Sequence, residues 1–156
     1  MIRKFKQSDF EQVANIYSRS KLDELRFETE VFNLLPIKDD EKRLRELMES
    51  QVFVYEDDTI LGYGAIYKNE IRALFIHPEF RSQGIGGSLL SYLVANAEAP
   101  AKLYVAKSNA PAKSMYVKYG FIVTQEFETS YNGMPVLANE MVRLNHDTCD
   151  DIHLSV

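Results

Sequence analysis

The chain has 156 residues, 46% of them apolar, and carries 18 basic against 23 acidic side chains for a net charge of −5. That length suits one domain with a real core, the acidic balance leaves no electrostatic footprint for nucleic acid, and the single cysteine, Cys149, excludes an intrachain disulfide. No stretch approaches the ~18 apolar residues of a membrane span, and MIRKFKQSDF lacks the apolar centre of a signal peptide, so a soluble, cytoplasmic protein with no membrane partner is expected. The negative charge suits a cationic ligand such as a lysine or polyamine, and equally serves solubility.

In chain order, residues 2–5 read as a short strand, and Ser8-Asp9-Phe10-Glu11 reads as a capping box opening a helix with Phe10, Val13, Ala14, Ile16 and Tyr17 at helical spacing. The pattern blurs over residues 22–37. A second helix is expected over residues 40–49, with Leu44, Leu47 and Met48 inward. The period then changes to that of strands: residues 52–55, a turn at Asp57-Asp58, residues 60–67 with Gly62 and Gly64 inside, a tight turn at Lys68-Asn69, and residues 70–76. Pro78 stops this last strand. A glycine-rich helix follows to about Ala97, then a strand over 102–106, a helix over 111–119 and a strand over 121–129. Tyr131-Asn132-Gly133 reads as a loop and residues 136–144 as a final, exposed strand. The expectation is one mixed α/β (α+β) domain over residues 1–144 with a largely antiparallel sheet flanked by helices, and a polar, frayed tail over 145–156.

The helix after Pro78 is entered through Arg81-Ser82-Gln83-Gly84-Ile85-Gly86-Gly87. Glycine costs roughly 1 kcal/mol relative to alanine inside a helix, so bare backbone must serve something there. A strand-to-helix loop offers N–H donors without partners and the positive end of the helix dipole, and glycines let a phosphate approach them. The alternative is a turn that lets helix and strand pack closely. A dinucleotide fingerprint is excluded because Leu89 stands where its third glycine belongs, and a P-loop because Gly87-Ser88 has no lysine.

Leu74-Phe75-Ile76-His77-Pro78 followed by Arg81-Ser82-Gln83-Gly84-Ile85-Gly86 resembles the acetyl-CoA signature of the GNAT superfamily of N-acetyltransferases. Asn109-Ala110-Pro111-Ala112 and Tyr116-Val117-Lys118-Tyr119-Gly120-Phe121 are similar to that family's Asn, Tyr, Gly-Phe pattern after the next strand. The loop Tyr131-Asn132-Gly133-Met134-Pro135 resembles that of small stand-alone bacterial members of the YiaC/YjaB type. The resemblance implies an acetyl-CoA-dependent acyltransferase acting on a primary amine, a small molecule or a protein lysine, without a metal. The amides of Ser82, Gln83, Gly84, Ile85, Gly86 and Gly87 would cradle the pyrophosphate. Leu74, Phe75 and Ile76 would flank the pantetheine arm like an added strand. Arg81 would sit near the pyrophosphate or cap the loop from outside.

Asn109 is a good N-cap for the helix containing Pro111, and the resemblance adds a hydrogen bond to the cofactor. Tyr116 lies two helical turns further on and would protonate the departing sulfur; its other reading is a core tyrosine. Tyr119 is its nearby rival, but the resemblance favours the tyrosine four residues before Gly120. Glu70 resembles the base glutamate of histone-type lysine acetyltransferases, and alternation puts it on the face of Leu74 and Ile76 if no bulge intervenes. It also reads as a solvated hairpin residue. Members that act on protein N-termini carry a glutamate on the following strand, where this chain has Tyr104. Acceptor choice is expected from residues 22–35, where Glu24, Glu28 and Glu30 suit a cationic amine or a plain charged surface, and from residues 130–135. His146, Cys149 and His153 are not expected to hold a metal. A non-catalytic acyl-CoA-binding module and another acyl donor are the rival readings. Monomer and homodimer are both open.

Overall fold

The computed structural model describes residues 1–144, so His146, Cys149, His153 and the expected tail lie outside the described residues. The chain runs β1 (Ile2–Lys4), α1 (Phe10–Ser20), α2 (Glu41–Glu49), β2 (Gln51–Asp57), β3 (Thr59–Tyr67), β4 (Glu70–Ile76), α3 (Ile85–Asn96), β5 (Lys102–Ala106), α4 (Ala110–Lys118), β6 (Phe121–Tyr131) and β7 (Met134–Arg143). The strands form one sheet in the order β1-β2-β3-β4-β5-β7-β6. Every neighbouring pair is antiparallel except β4 and β5. None of the described helices is long and apolar enough to cross a membrane.

The two faces of the sheet are covered differently. Val13, Ile16 and Tyr17 of α1 and Leu47 of α2 pack on Val52, Val54, Tyr63 and Phe75. On the other face, Leu90 and Leu93 of α3 pack with Phe53, Ile66, Ile71 and Phe121, and Met115 and Tyr116 of α4 close the layer. The glycines inside β3 explain how close α3 comes. A Cβ on Gly64 would lie 2.5 Å from Leu93 Cδ1, and one on Gly62 would lie 2.7 Å from Ile76 Cδ1 and 2.9 Å from the Phe75 carbonyl. Gly64→Val should therefore cost about 1–3 kcal/mol by over-packing, read as a lower denaturation midpoint with an unchanged slope.

Three expectations are corrected. Ser8 is not the cap: Asp9 Oδ2 accepts from Lys6 N at 2.7 Å and the Arg3 guanidinium grips both its oxygens, so the capping carboxylate is the buried neighbour. Tyr131 is not in a loop but ends β6, buried, and the turn shrinks to Asn132-Gly133, both at positive φ as a two-residue hairpin requires. The last strand is not exposed at an edge: β7 is inserted between β5 and β6, and β6 is the edge. The blurred stretch resolves into a 3₁₀ turn, Lys21–Leu25, and irregular chain. Tyr131 latches that chain to the hairpin, its hydroxyl accepting from Leu35 N at 2.8 Å and donating to Leu35 O at 3.2 Å.

Candidate active site

The site begins where the sheet fails. β4 and β5 pair in register only at Glu70 with Lys102 and Ile71 with Leu103, then part. Residues 72–76 of β4 and 104–106 of β5 are left without each other as ladder partners, and unpaired ladder groups are a template for an extended ligand. A cavity of about 1030 Å³ lies along this split and runs under α1 and α2. Leu74, Phe75 and Ile76 line it on the β4 side, and Tyr104 and Val105 on the β5 side.

One end of the split meets the glycine loop, and each glycine there has its own reason. Gly84 sits at φ +82°, left-handed, as the N-cap of α3, a conformation that a Cβ would strain. Ser82 is also left-handed, at φ +65°. Ser88 N donates to Gly84 O at 3.1 Å, closing the first turn, so the amides of Ile85, Gly86 and Gly87 precede any intrahelical acceptor. Gly86 lines the cavity, and a Cβ there would meet only Ile76 and Met115, at 3.8 and 3.9 Å. Gly87 answers to packing: a Cβ would lie 2.5 Å from the Tyr119 hydroxyl. The Ile85 side chain is core, packed with Leu61 and Leu89, and Gln83 is exposed, so these two residues present only backbone to the loop. Arg81 lines the cavity with its guanidinium committed, Nη1 to Asp23 at 2.6 Å and Nε to Ile76 O at 3.3 Å.

On the β5 side, Asn109 is buried to 8% exposure, and its Oδ1 accepts from Ala112 N at the start of α4. Tyr116 reaches the cavity from the same helix, its ring edge-on to buried Phe121 at 5.9 Å. Burial pushes its hydroxyl well above the ordinary tyrosine range, so it keeps its proton at neutral pH. Tyr119 instead packs in the layer under α3.

Glu70 does not share the face of Leu74 and Ile76. Ala65 pairs with Ala73 and Ile66 with Ile71, which leaves Arg72 as an extra residue on β4. This bulge flips the alternation, so Glu70 faces α2 together with Ala73 and Phe75. It lines the cavity half-buried, 3.7 Å from Arg72 Nε, while Arg72 Nη1 is held by Glu49 at 2.7 Å. Burial raises the Glu70 carboxyl, and neighbouring Glu46 adds to the rise, against Arg72 and Lys102. Another of the cavity's carboxylates, Glu140, opposes Tyr104 in register and accepts from Thr124 at 2.7 Å. Glu28 is bonded by the Ser108 hydroxyl rather than free for a ligand amine.

Sequence reasoning missed the chamber under α1 and α2. Tyr17, Tyr63 and Tyr131 line it with Lys21 and Arg43. Helical and strand periodicity marks Tyr17 and Tyr63 as core but says nothing of where their hydroxyls end. Among the described residues there is no cluster of metal-ligating side chains.

The fold is shared by solved structures of acetyltransferases. YjaB from Escherichia coli is 24% identical and matches with a TM-score of 0.73 over 93% of this chain and 97% of its own. A GCN5-related N-acetyltransferase from Rhodopseudomonas palustris, 16% identical, matches with 0.76 over 93% and 95%. YncA from Salmonella typhimurium, a putative acetyltransferase solved with its cofactor acetyl-CoA, is 19% identical and matches with 0.67 over 93% and 94%. The family model of the Acetyltransferase (GNAT) domain matches residues 13–142, the stretch that holds the split strands, the glycine loop and the chamber, and the chain belongs to the GNAT acetyltransferase family.

Proposed function

We propose that this acyltransferase moves acetyl from acetyl-CoA to a primary amine by direct attack, within a single domain over residues 1–144. The observation that carries the reading is the parting of β4 and β5 after Ile71, with a left-handed glycine in the loop that follows β4 and Tyr116 on the lining of the same cavity. The residues fit acetyl-CoA: free α3 amides for the pyrophosphate, the split for the amide-rich arm, and the Asn109 side chain beside it. When bound, acetyl-CoA supplies an activated thioester.

Glu70 takes a proton from the incoming ammonium, directly or through water, so that the amine can attack. Tyr116 holds the proton that the departing sulfur needs as the C–S bond breaks and the N–C bond forms. Arg81, gripped by Asp23, braces the loop against the 3₁₀ turn after α1. Relatives of similar fold carry names as different as phosphinothricin N-acetyltransferase and ribosomal-protein-alanine N-acetyltransferase, so the acceptor follows from this chain's own chamber.

Free thiol release from acetyl-CoA against a panel of amines and lysine peptides is the direct test. Release with one acceptor class supports the reading; silence with every amine, while acetyl-CoA binds, removes it. Glu70→Gln should lower turnover by about a hundredfold. A base works only when deprotonated, and the Glu70 carboxyl is raised. The acid limb of the wild-type pH–rate profile should therefore lie above the ordinary carboxylate range and vanish in the variant. An unaltered acid limb would take the base role from Glu70.

A further inference from the structure

The chamber under α1 and α2 has an unusual lining for a site that receives an amine. Lys21 is only 8% exposed, although lysine is almost never buried without full pairing. Its ammonium has three N–H groups. Among the described residues one is used, on Glu24 Oε2 at 2.8 Å, and the remainder lie over the rings of Tyr131 and Phe75, at 5.2 and 5.9 Å from their centroids. Glu24 is itself about one-third exposed, a partner that can swing to solvent. The Tyr17 hydroxyl, on the lining of the same cavity, is buried with no hydrogen-bond partner, in the field of Arg43, Tyr131, Asp40 and Glu24. Arg43 itself stacks over Tyr131 at 5.4 Å. A buried cation with spare donors and a buried unpaired hydroxyl each cost stability unless something accepts from them.

The lining of the same cavity also carries carboxylates. Glu70 and Glu46 stand there together, close enough that Glu46 raises the Glu70 carboxyl, and Glu46 makes no ion pair among the described residues. The cavity thus offers carboxylates to an amine, and an ammonium and a hydroxyl to an anion. Tyr63 and Phe75 add aromatic surface to the lining.

From this polarity we infer that the acceptor is a primary amine that carries its own carboxylate, such as a free amino acid with an apolar side chain. Its amine goes to Glu70 and its carboxylate to Lys21 and Tyr17. The inference rests on acetyl transfer to an amine at this site. It goes beyond that reading by assigning Lys21 and Tyr17 as specificity residues. Acceptor binding would exchange the Glu24 contact of Lys21, or add to it, without changing the pairing of Arg81 or Arg72.

The test compares acceptors that differ only in the carboxylate: L-phenylalanine against phenethylamine, L-leucine against isoamylamine, and L-methionine against 3-(methylthio)propylamine, with a lysine peptide alongside. Wild-type enzyme should use the carboxylated twin with kcat/KM at least about tenfold higher, the scale of one hydrogen bond to a charged group. Lys21→Met should collapse that ratio towards one, chiefly through KM, whereas Lys21→Arg should restore it. Tyr17→Phe should lower it in part. Equal use of the twins, preference for the bare amine, or turnover of the lysine peptide alone would overturn the carboxylate assignment and leave acetyl transfer standing. Silence with every amine, with acetyl-CoA bound, would bring down the transfer reading and this inference with it.

Discussion

Replacing Gly86 by glutamate should abolish acetyl-CoA binding and leave the fold intact. Position 86 has helical φ, and a Cβ there meets Ile76 and Met115 only at ordinary contact distances of 3.8 and 3.9 Å. The helix therefore tolerates the side chain, apart from propensity, where glutamate is better than glycine. The side chain points into the cavity, between the split strand β4 and α4. A carboxylate there meets the phosphates that the free α3 amides attract, and it fills the room they need. The expected loss of affinity is at least about a hundredfold, or ~2.7 kcal/mol, by calorimetric titration with CoA, at an unchanged melting temperature. Gly87→Glu is a poorer probe, because it collides with the Tyr119 hydroxyl and confounds folding with binding. Retained affinity in Gly86→Glu would mean that the pyrophosphate lies elsewhere.

Removing the Tyr116 hydroxyl should lower turnover by about one to two orders of magnitude, on the scale of general acid catalysis. Acetyl-CoA affinity should hardly change. Phenylalanine keeps the ring against Phe121, so the layer under α3 stays packed. Because burial raises the hydroxyl, Tyr116 is protonated throughout the neutral range. The defect should therefore be nearly constant from pH 6 to pH 9 (about one unit below the ordinary tyrosine value), in contrast to Glu70→Gln, which changes the acid limb. That difference separates the two proton roles in one experiment. Unchanged turnover would take Tyr116 out of the mechanism and return attention to the hydroxyls of the chamber.

Much of this protein is legible without coordinates. The change from helical to strand period at Val52, the turns at Lys68 and Asn132-Gly133, and the cap at Asn109 are local signals, carried by neighbours within a few residues. The glycine loop is local too, since its left-handed Gly84 and free amides follow from a strand that runs into a helix. Those signals order the elements correctly and single out the loop proposed to hold the phosphates.

Tertiary structure decided what depends on partners far apart in the chain. The insertion of β7 between β5 and β6 follows from pairing over thirty residues, from Leu103 to Met141, which periodicity cannot rank. Arg72 looks like any strand residue until its neighbours pair with β3, and only the resulting bulge turns Glu70 towards α2. Arg81 is equally suited in sequence to a phosphate or a brace, and Asp23, on the turn after α1, takes it. The chamber is the clearest case. Lys21 falls in a stretch with no readable period, and Tyr17 falls in a core stripe. They come to line one cavity only when α1 folds over the sheet against Phe75. Periodicity reports which side of an element is buried, because apolar area drives that choice. Where a hydroxyl or an ammonium comes to rest inside is fixed by packing between elements.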